Sequence, residues 1–236
     1  MIGIVAPDGA GRLRDALADA GRAATVGDPD TVAAADPAFV LAVGDAAAVG
    51  LARAGTEAPV LPVGTDEGLR PVGRDRVLDV IRSLPDDPPT RSHPVLSAAA
   101  GGDPAGRALL DVALFTTEPG HISEYAVTDG DLGGRFRADG AVLATPAGSH
   151  GYANAAGGPL LRRGADLLVA VPVAPFGLRS ERWVFDLAAP PTLSVERDEA
   201  AVALFLDGEE HAPVAPGEAV TVETAGTLDA VEVERL

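Results

Sequence analysis

The chain predicts an α/β half followed by an all-β half: a Rossmann-like parallel-sheet domain over residues 1–88 and a β-rich sandwich domain over 89–236. Three observations predict it. Up to about residue 84, short apolar runs alternate with stretches of helical spacing. A proline-dense segment, Pro85 to Pro94, interrupts that pattern. Beyond it, short strand-like runs recur at close intervals with turn residues between them.

In order, Ile2–Ala6 reads as a short buried strand and Arg12–Ala20 as a helix carrying Leu and Ala at helical spacing. Phe39–Val43 is a second apolar strand, Asp45–Ala54 a helix, Pro59–Val63 a further strand and Arg74–Leu84 an amphipathic helix. Strands alternating with helices imply a parallel sheet. The prolines of 85–94 deny both helix and central strand, so this segment is expected to be a linker, with the C-terminal end of the chain packing back on the first domain. The second half offers strands at Leu109–Leu114, Tyr125–Val127, Arg135–Arg137, Ala141–Ala144, Leu167–Val173, Arg182–Leu187, Thr192–Glu196, Val202–Leu206, Ala219–Glu223 and Ala230–Val233. One helix is expected there, after Tyr152 through the small residues 153 to 156.

Composition narrows the function classes. The chain has 236 residues, 47% of them apolar but only 4% aromatic, so its core is built from Ala, Val and Leu. Cysteine is absent, which excludes disulfides, thiolate metal sites and a cysteine nucleophile. The histidines His93, His121, His150 and His211 have no metal-ligand spacing. The formal net charge is -17, and the 18 cations are all arginine. Such a balance argues against a nucleic-acid partner, which needs a basic face. It suits a surface adapted to high salt, where screening shortens the Debye length to about 3 Å and relieves carboxylate repulsion. No apolar run approaches the ~20 residues of a membrane span, and no basic region precedes the first apolar stretch, so a cytoplasmic protein is expected.

The segment richest in chemistry runs from Ala138 to Pro159: Asp139-Gly140, a buried strand, Thr145-Pro146-Ala147-Gly148-Ser149, His150-Gly151-Tyr152, then small residues ending in Gly157-Gly158-Pro159. Few generic domains need so many small and turn-forming residues in one string. Upstream, Gly44-Asp45-Ala46-Ala47 follows a buried strand and opens a helix, the edge at which open α/β sheets bind ligands. Read alone, Asp45 is a helix cap.

These motifs together resemble the signature of NAD kinases, in which Gly-Gly-Asp-Gly-Thr, Asn-Glu, Asp-Gly, Thr-Pro-Thr-Gly-Ser-Thr-Ala-Tyr and Ser-Ala-Gly-Gly-Pro build the dinucleotide site. The chain is identified as a divergent, haloarchaeal-type member of that family. The resemblance implies a phosphotransferase that moves a phosphoryl group from ATP, with Mg2+, to the 2'-hydroxyl of the adenosine ribose of NAD, giving NADP. It implies Asp45 as the general base and a nucleotide-contacting set of Gly44, Ala46, Leu110, Asp111, Arg137, Asp139, Ala147, Ser149, His150, Gly151, Tyr152, Ala155 and Glu209. Within it, Asp139 and Arg137 stand near the nicotinamide half and Tyr152 lines the adenine pocket. With no lysine present, Arg137 and the metal handle anionic charge.

The chain departs from the pattern at Val43, Ala46 and Ala47, at Leu110 (for asparagine), at Asp111 (for glutamate) and at Phe176-Gly177 within the Pro175–Leu178 segment (for histidine and serine). Asp207-Gly208-Glu209 stands for a late Asp-Gly-Gln, although the first two are also an ordinary hairpin turn. The resemblance implies small nucleotides as ligands, no protein-built metal site, and a homodimer or homotetramer. An alternative stays open: a non-catalytic homologue that binds nucleotides or regulates.

Overall fold

A computed structural model describes residues 1–85, 88–118, 120–177 and 181–233. The chain forms two units: Met1–His93 together with the chain from Thr227 on, and Pro94–Gly226.

The first unit alternates β1 (Ile2–Val5), α1 (Ala10–Asp19), β2 (Ala24–Val26), α2 (Pro29–Ala34), β3 (Phe39–Val43), α3 (Asp45–Ala54), β4 (Val60–Val63) and α4 (Val77–Ser83). Its strands lie in the order β2-β1-β3-β4 and are all parallel, with Ile2 opposite both Ala24 and Phe39, and Val40 opposite Val60. Every residue of β1, β3 and β4 is buried, as expected of parallel strands covered on both faces. Ile4, Leu41 and Leu61 meet Leu17 of α1 and Val77 and Ile81 of α4 in one apolar core.

Two elements went unanticipated here. β2 has three residues, too few for a period to show. α2 has six residues, and its start is set by a local contact: the Asp28 carboxylate accepts from the Thr31 N–H at 2.8 Å, with Pro29 opening the first turn.

The later strands are β5 (Thr90–Ala100), β6 (Asp103–Ala108), β7 (Asp111–Thr116), β8 (Ser123–Thr128), β9 (Gly133–Ala138), β10 (Gly140–Ala144), β11 (Leu167–Val173), β12 (Trp183–Asp186), β13 (Thr192–Arg197), β14 (Val202–Leu206), β15 (Glu209–Val214) and β16 (Ala219–Val231), with a single-turn helix α5 (Tyr152–Ala155). In the second unit, an antiparallel sheet of order β12-β11-β10-β7-β14-β15 faces a second sheet in which β13 joins β16 to β8 and β9. Leu114, Leu143, Leu168 and Leu204 from the first meet Tyr125, Val127, Leu193 and Val195 from the second. This is the sandwich the sequence implied.

The proline-dense segment did not become a linker throughout. Residues 86 and 87 lie outside the described residues, but Thr90 onward is strand. A proline is compatible with a strand wherever its missing N–H has no ladder partner to lose, and Pro94 is buried inside β5. Contacts distant in sequence hold the strand. Arg91 Nε donates to Glu232 Oε1 at 2.6 Å, Ser92 Oγ to Asp229 Oδ1 at 2.6 Å, and Glu232 N to the Pro89 carbonyl at 2.8 Å. The Arg91 guanidinium holds the Glu232 carboxyl below the usual carboxylate range.

With a net charge of -17, carboxylate repulsion opposes compaction. Raising KCl from about 0.1 M, where the Debye length is about 10 Å, to beyond about 1 M, where it is about 3 Å, is therefore expected to raise the thermal unfolding midpoint. Circular dichroism melts across a salt series measure this.

Candidate functional site

In the first unit the informative place is the carboxyl edge of the parallel sheet. β3 ends at Val43, Gly44 turns the chain with φ 84, and α3 begins at Asp45. That dihedral lies in a region that only glycine enters without strain. Asp45 does not cap its own helix: no side-chain cap bond forms at this N-terminus. Its Oδ1 instead accepts the Asp66 N–H at 2.8 Å, from the turn that follows β4. Asp66 Oδ1 accepts the Glu67 N–H at 2.6 Å, which stiffens that turn. The Asp45 carboxylate is thus aimed from the next strand end, and its other oxygen has no hydrogen bond among the described residues. Ala46 is exposed and Ala47 is buried against the core side.

In the second unit the Thr145–Tyr152 turn follows β10 and is held almost entirely from within. Thr145 donates its N–H to the Leu110 carbonyl at 2.9 Å and its hydroxyl to the Leu109 carbonyl at 2.8 Å, while accepting the Gly148 N–H at 3.2 Å. The Ser149 hydroxyl donates to the Pro146 carbonyl at 2.8 Å and accepts the Leu161 N–H at 2.9 Å. Ser149 is 0% exposed, so its side chain organises the loop and presents nothing outward. A ligand contact is expected at Ser149 from the resemblance; its hydroxyl is engaged within the loop. Ala147 is equally closed off, whereas His150 and Gly151 are half-buried and Ala155 is exposed.

Small residues are needed because backbone meets backbone here: a Cβ on Gly148 would lie 2.5 Å from the Leu110 carbonyl carbon and closer still to its oxygen. Thr145→Val keeps the volume but removes a buried donor and acceptor. It is expected to cost about 1–3 kcal/mol in urea unfolding.

That turn rests on Leu109-Leu110-Asp111, which Asp207 holds from the other side. The Asp207 carboxylate accepts the N–H of Leu109 at 3.1 Å, of Leu110 at 2.6 Å and of Asp111 at 3.2 Å, and Asp207 N donates to the Asp111 carbonyl at 3.0 Å. Asp207 and Gly208 both have positive φ, 52 and 82, forming the tight β14–β15 turn that Asp-Gly announces. Its second role escaped the sequence reading, because the partners are 97 residues away in the chain.

The Asp111 carboxyl makes no hydrogen bond among the described residues. Burial, reinforced by the Asp207 charge, pushes it up to about 7. Alternation along β7 puts Asp111, Ala113 and Phe115 on one face, away from the sandwich core. On that face Phe115 meets Tyr152 edge-on at 5.5 Å and Phe205 at 5.6 Å. Asp111 and the Phe115 against which Tyr152 packs therefore share one sheet face, about 14 Å apart along β7 by strand rise. Tyr152 is half exposed.

Asp139 joins β9 to β10 at the Phe115 end of this face. It is exposed, and its backbone is fixed by Thr116 N and the Tyr125 hydroxyl donating to its carbonyl and by its own N–H donating to Val173 O. Arg137 lies near the end of β9. Its guanidinium pairs with Glu199 and stands 6.0 Å over the Phe176 ring. Of the Pro175–Leu178 segment, Leu178 lies outside the described residues. Leu110 is half-buried, and its backbone does the bonding. Glu209 is exposed at the start of β15. Among the described residues no group of three or more His, Asp or Glu side chains is arranged to hold a metal, and no helix is long and apolar enough to cross a membrane.

Comparisons with known proteins agree in direction. The family model of the ATP-NAD kinase C-terminal domain matches residues 111–231. NAD kinase of Methanosarcina barkeri is 37% identical over 101 residues, 42% of this chain and 37% of that protein. NAD kinase of Methanocorpusculum labreanum is 29% identical over 154 residues, 63% of this chain and 56% of that protein. The chain thus spans about half or less of the length of these curated relatives. Among solved structures, an NAD kinase from Archaeoglobus fulgidus in complex with ATP superposes with a TM-score of 0.75 at 20% identity, covering 99% of this chain and 94% of that one. Yeast NADH kinase complexed with NADH gives 0.81 at 15%, covering 99% and 84%.

Proposed function

Because the chain belongs to the NAD kinase family, we propose that it transfers the γ-phosphoryl group of ATP to the 2'-hydroxyl of the adenosine ribose of NAD. The observation that carries this reading is the Asp45 carboxylate. It is released from helix capping, held through one oxygen by the Asp66 N–H, and left with the other oxygen open at the carboxyl edge of a parallel sheet. A carboxylate so placed suits a general base that takes the hydroxyl proton as the oxygen attacks phosphorus; ADP leaves with the electrons of the broken P–O bond. Mg2+ would supply charge neutralisation on the phosphates. In the second unit, Asp111, Tyr152 and Asp139 are the side chains left to position NAD, on a backbone set by Thr145, Ser149 and Asp207. A cytoplasmic, salt-adapted homo-oligomer fits the acidic composition and belongs to the same proposal.

A second reading, nucleotide binding without turnover, is favoured by one feature: Leu110, Ala46 and Ala47 put apolar groups where the family signature has polar residues or glycine. Incubating the protein with NAD, ATP and Mg2+ at molar KCl and assaying NADP separates the two. Turnover lost in Asp45→Asn supports the kinase. Measurable NAD binding without NADP supports the second reading, and the absence of both ends the proposal.

A further inference from the structure

We propose that Asp111 meets the nucleotide as a protonated acid, an O–H donor, and that Asp207 is the positioning residue that keeps the proton there. The identity of the ligand rests on the NAD kinase reading; the location of the proton does not.

The geometry divides the labour between two neighbouring carboxyls. Asp207 has both oxygens committed to three backbone N–H groups, which favours its charged form. Asp111 has its backbone in that network, but its carboxyl accepts nothing among the described residues and is half-buried. Two close carboxyls do not both ionise cheaply, so the proton resides on the one without donors. Nothing nearby reverses this. The paired strands β10 (GAVLA) and β14 (VALFL) carry no ionisable group. The adjoining segments bring Arg107 at the end of β6, His150 after β10 and Glu209 at the start of β15; among the described residues, burial and then the Asp207 charge raise Asp111.

The consequence is a change of recognition chemistry. The family signature has an asparagine and a glutamate at 110 and 111. Here the first is apolar, and the second donates to an acceptor on the ligand, such as a ring nitrogen or a carbonyl oxygen, where a carboxylate would accept. Because the donor is lost when the proton leaves, binding weakens as pH rises through the titration of Asp111.

Two measurements on the full chain test this. Carbon-13 NMR of aspartate-labelled protein, with the Asp111 signal assigned by its disappearance in Asp111→Asn, should show that carboxyl titrating near neutrality, and lower in Asp207→Asn. NAD affinity should fall by about tenfold per pH unit above 7 in the wild type and stay flat in Asp111→Asn, whose amide donates at every pH. An Asp111 signal titrating in the ordinary carboxylate range overturns the proposal. So does an affinity that rises with pH, or an Asp111→Asn profile parallel to the wild type. If NAD binds at no pH, the kinase reading fails, and the carboxyl titration still decides where the proton sits.

Discussion

Exchanging Asp45 for asparagine is expected to lower the rate of NADP formation by about 10²–10⁴-fold, the usual worth of a general base, with little change in unfolding midpoint. Both halves of that expectation come from one hydrogen bond. The Asp66 N–H needs an acceptor at 2.8 Å, and an asparagine Oδ1 supplies it, so the turn after β4 keeps its partner. The amide nitrogen then occupies the place of the open oxygen. It donates and cannot take a proton, so the attacking hydroxyl loses its base while volume is conserved. Because Asp45 is exposed, no buried charge is created or removed. Steady-state kinetics should show the loss in kcat with KM nearly unchanged. A variant that turns over within threefold of the wild type would remove Asp45 from the chemistry.

Gly148→Ala is expected to be strongly destabilising, by several kcal/mol in denaturant unfolding, above the range usual for surface changes. The added methyl would be driven into the Leu110 carbonyl, 2.5 Å from its carbon, and also within 3.0 Å of its Cα. Backbone on both sides has to separate, since no flexible side chain can swing away. Separation breaks the Thr145–Leu109 and Thr145–Leu110 bonds and strains Asp207's hold on Leu109–Asp111. NAD binding should therefore fall together with stability. By contrast, alanine at Gly102 or Gly120 meets no atom within 4 Å and tests only the positive φ of those turns.

Much of this architecture was legible before any coordinates. Leu167–Val173 and Val202–Leu206 are strands to the residue, and Asp45–Ala54 is a helix to the residue, because a short apolar run or a clear 3.6 period bounded by Gly or Pro leaves few alternatives. What escaped has a common cause. β6 (DPAGRA) and β15 (EEHAPV) are polar strands whose place comes from hydrogen bonds to neighbours, and β5 survives its prolines through Glu232 and Asp229. No local pattern announces a partner so far along the chain.

The same division runs through the site. Residue types alone marked the candidate site: an acid after Gly44 at a strand end, and an Asp-Gly, Thr-Pro-x-Gly-Ser string that calls for a tight turn, since turn dihedrals are local properties. Which polar groups the scaffold engages was decided by folding. Packing enclosed Ser149, paired Arg137 with Glu199, drew Asp45 away from its helix to Asp66, and set Asp207 beneath Asp111. Burial and long-range hydrogen bonding are sums over neighbours that meet only in three dimensions, and those sums choose which polar atoms are consumed by the scaffold and which are left for a ligand.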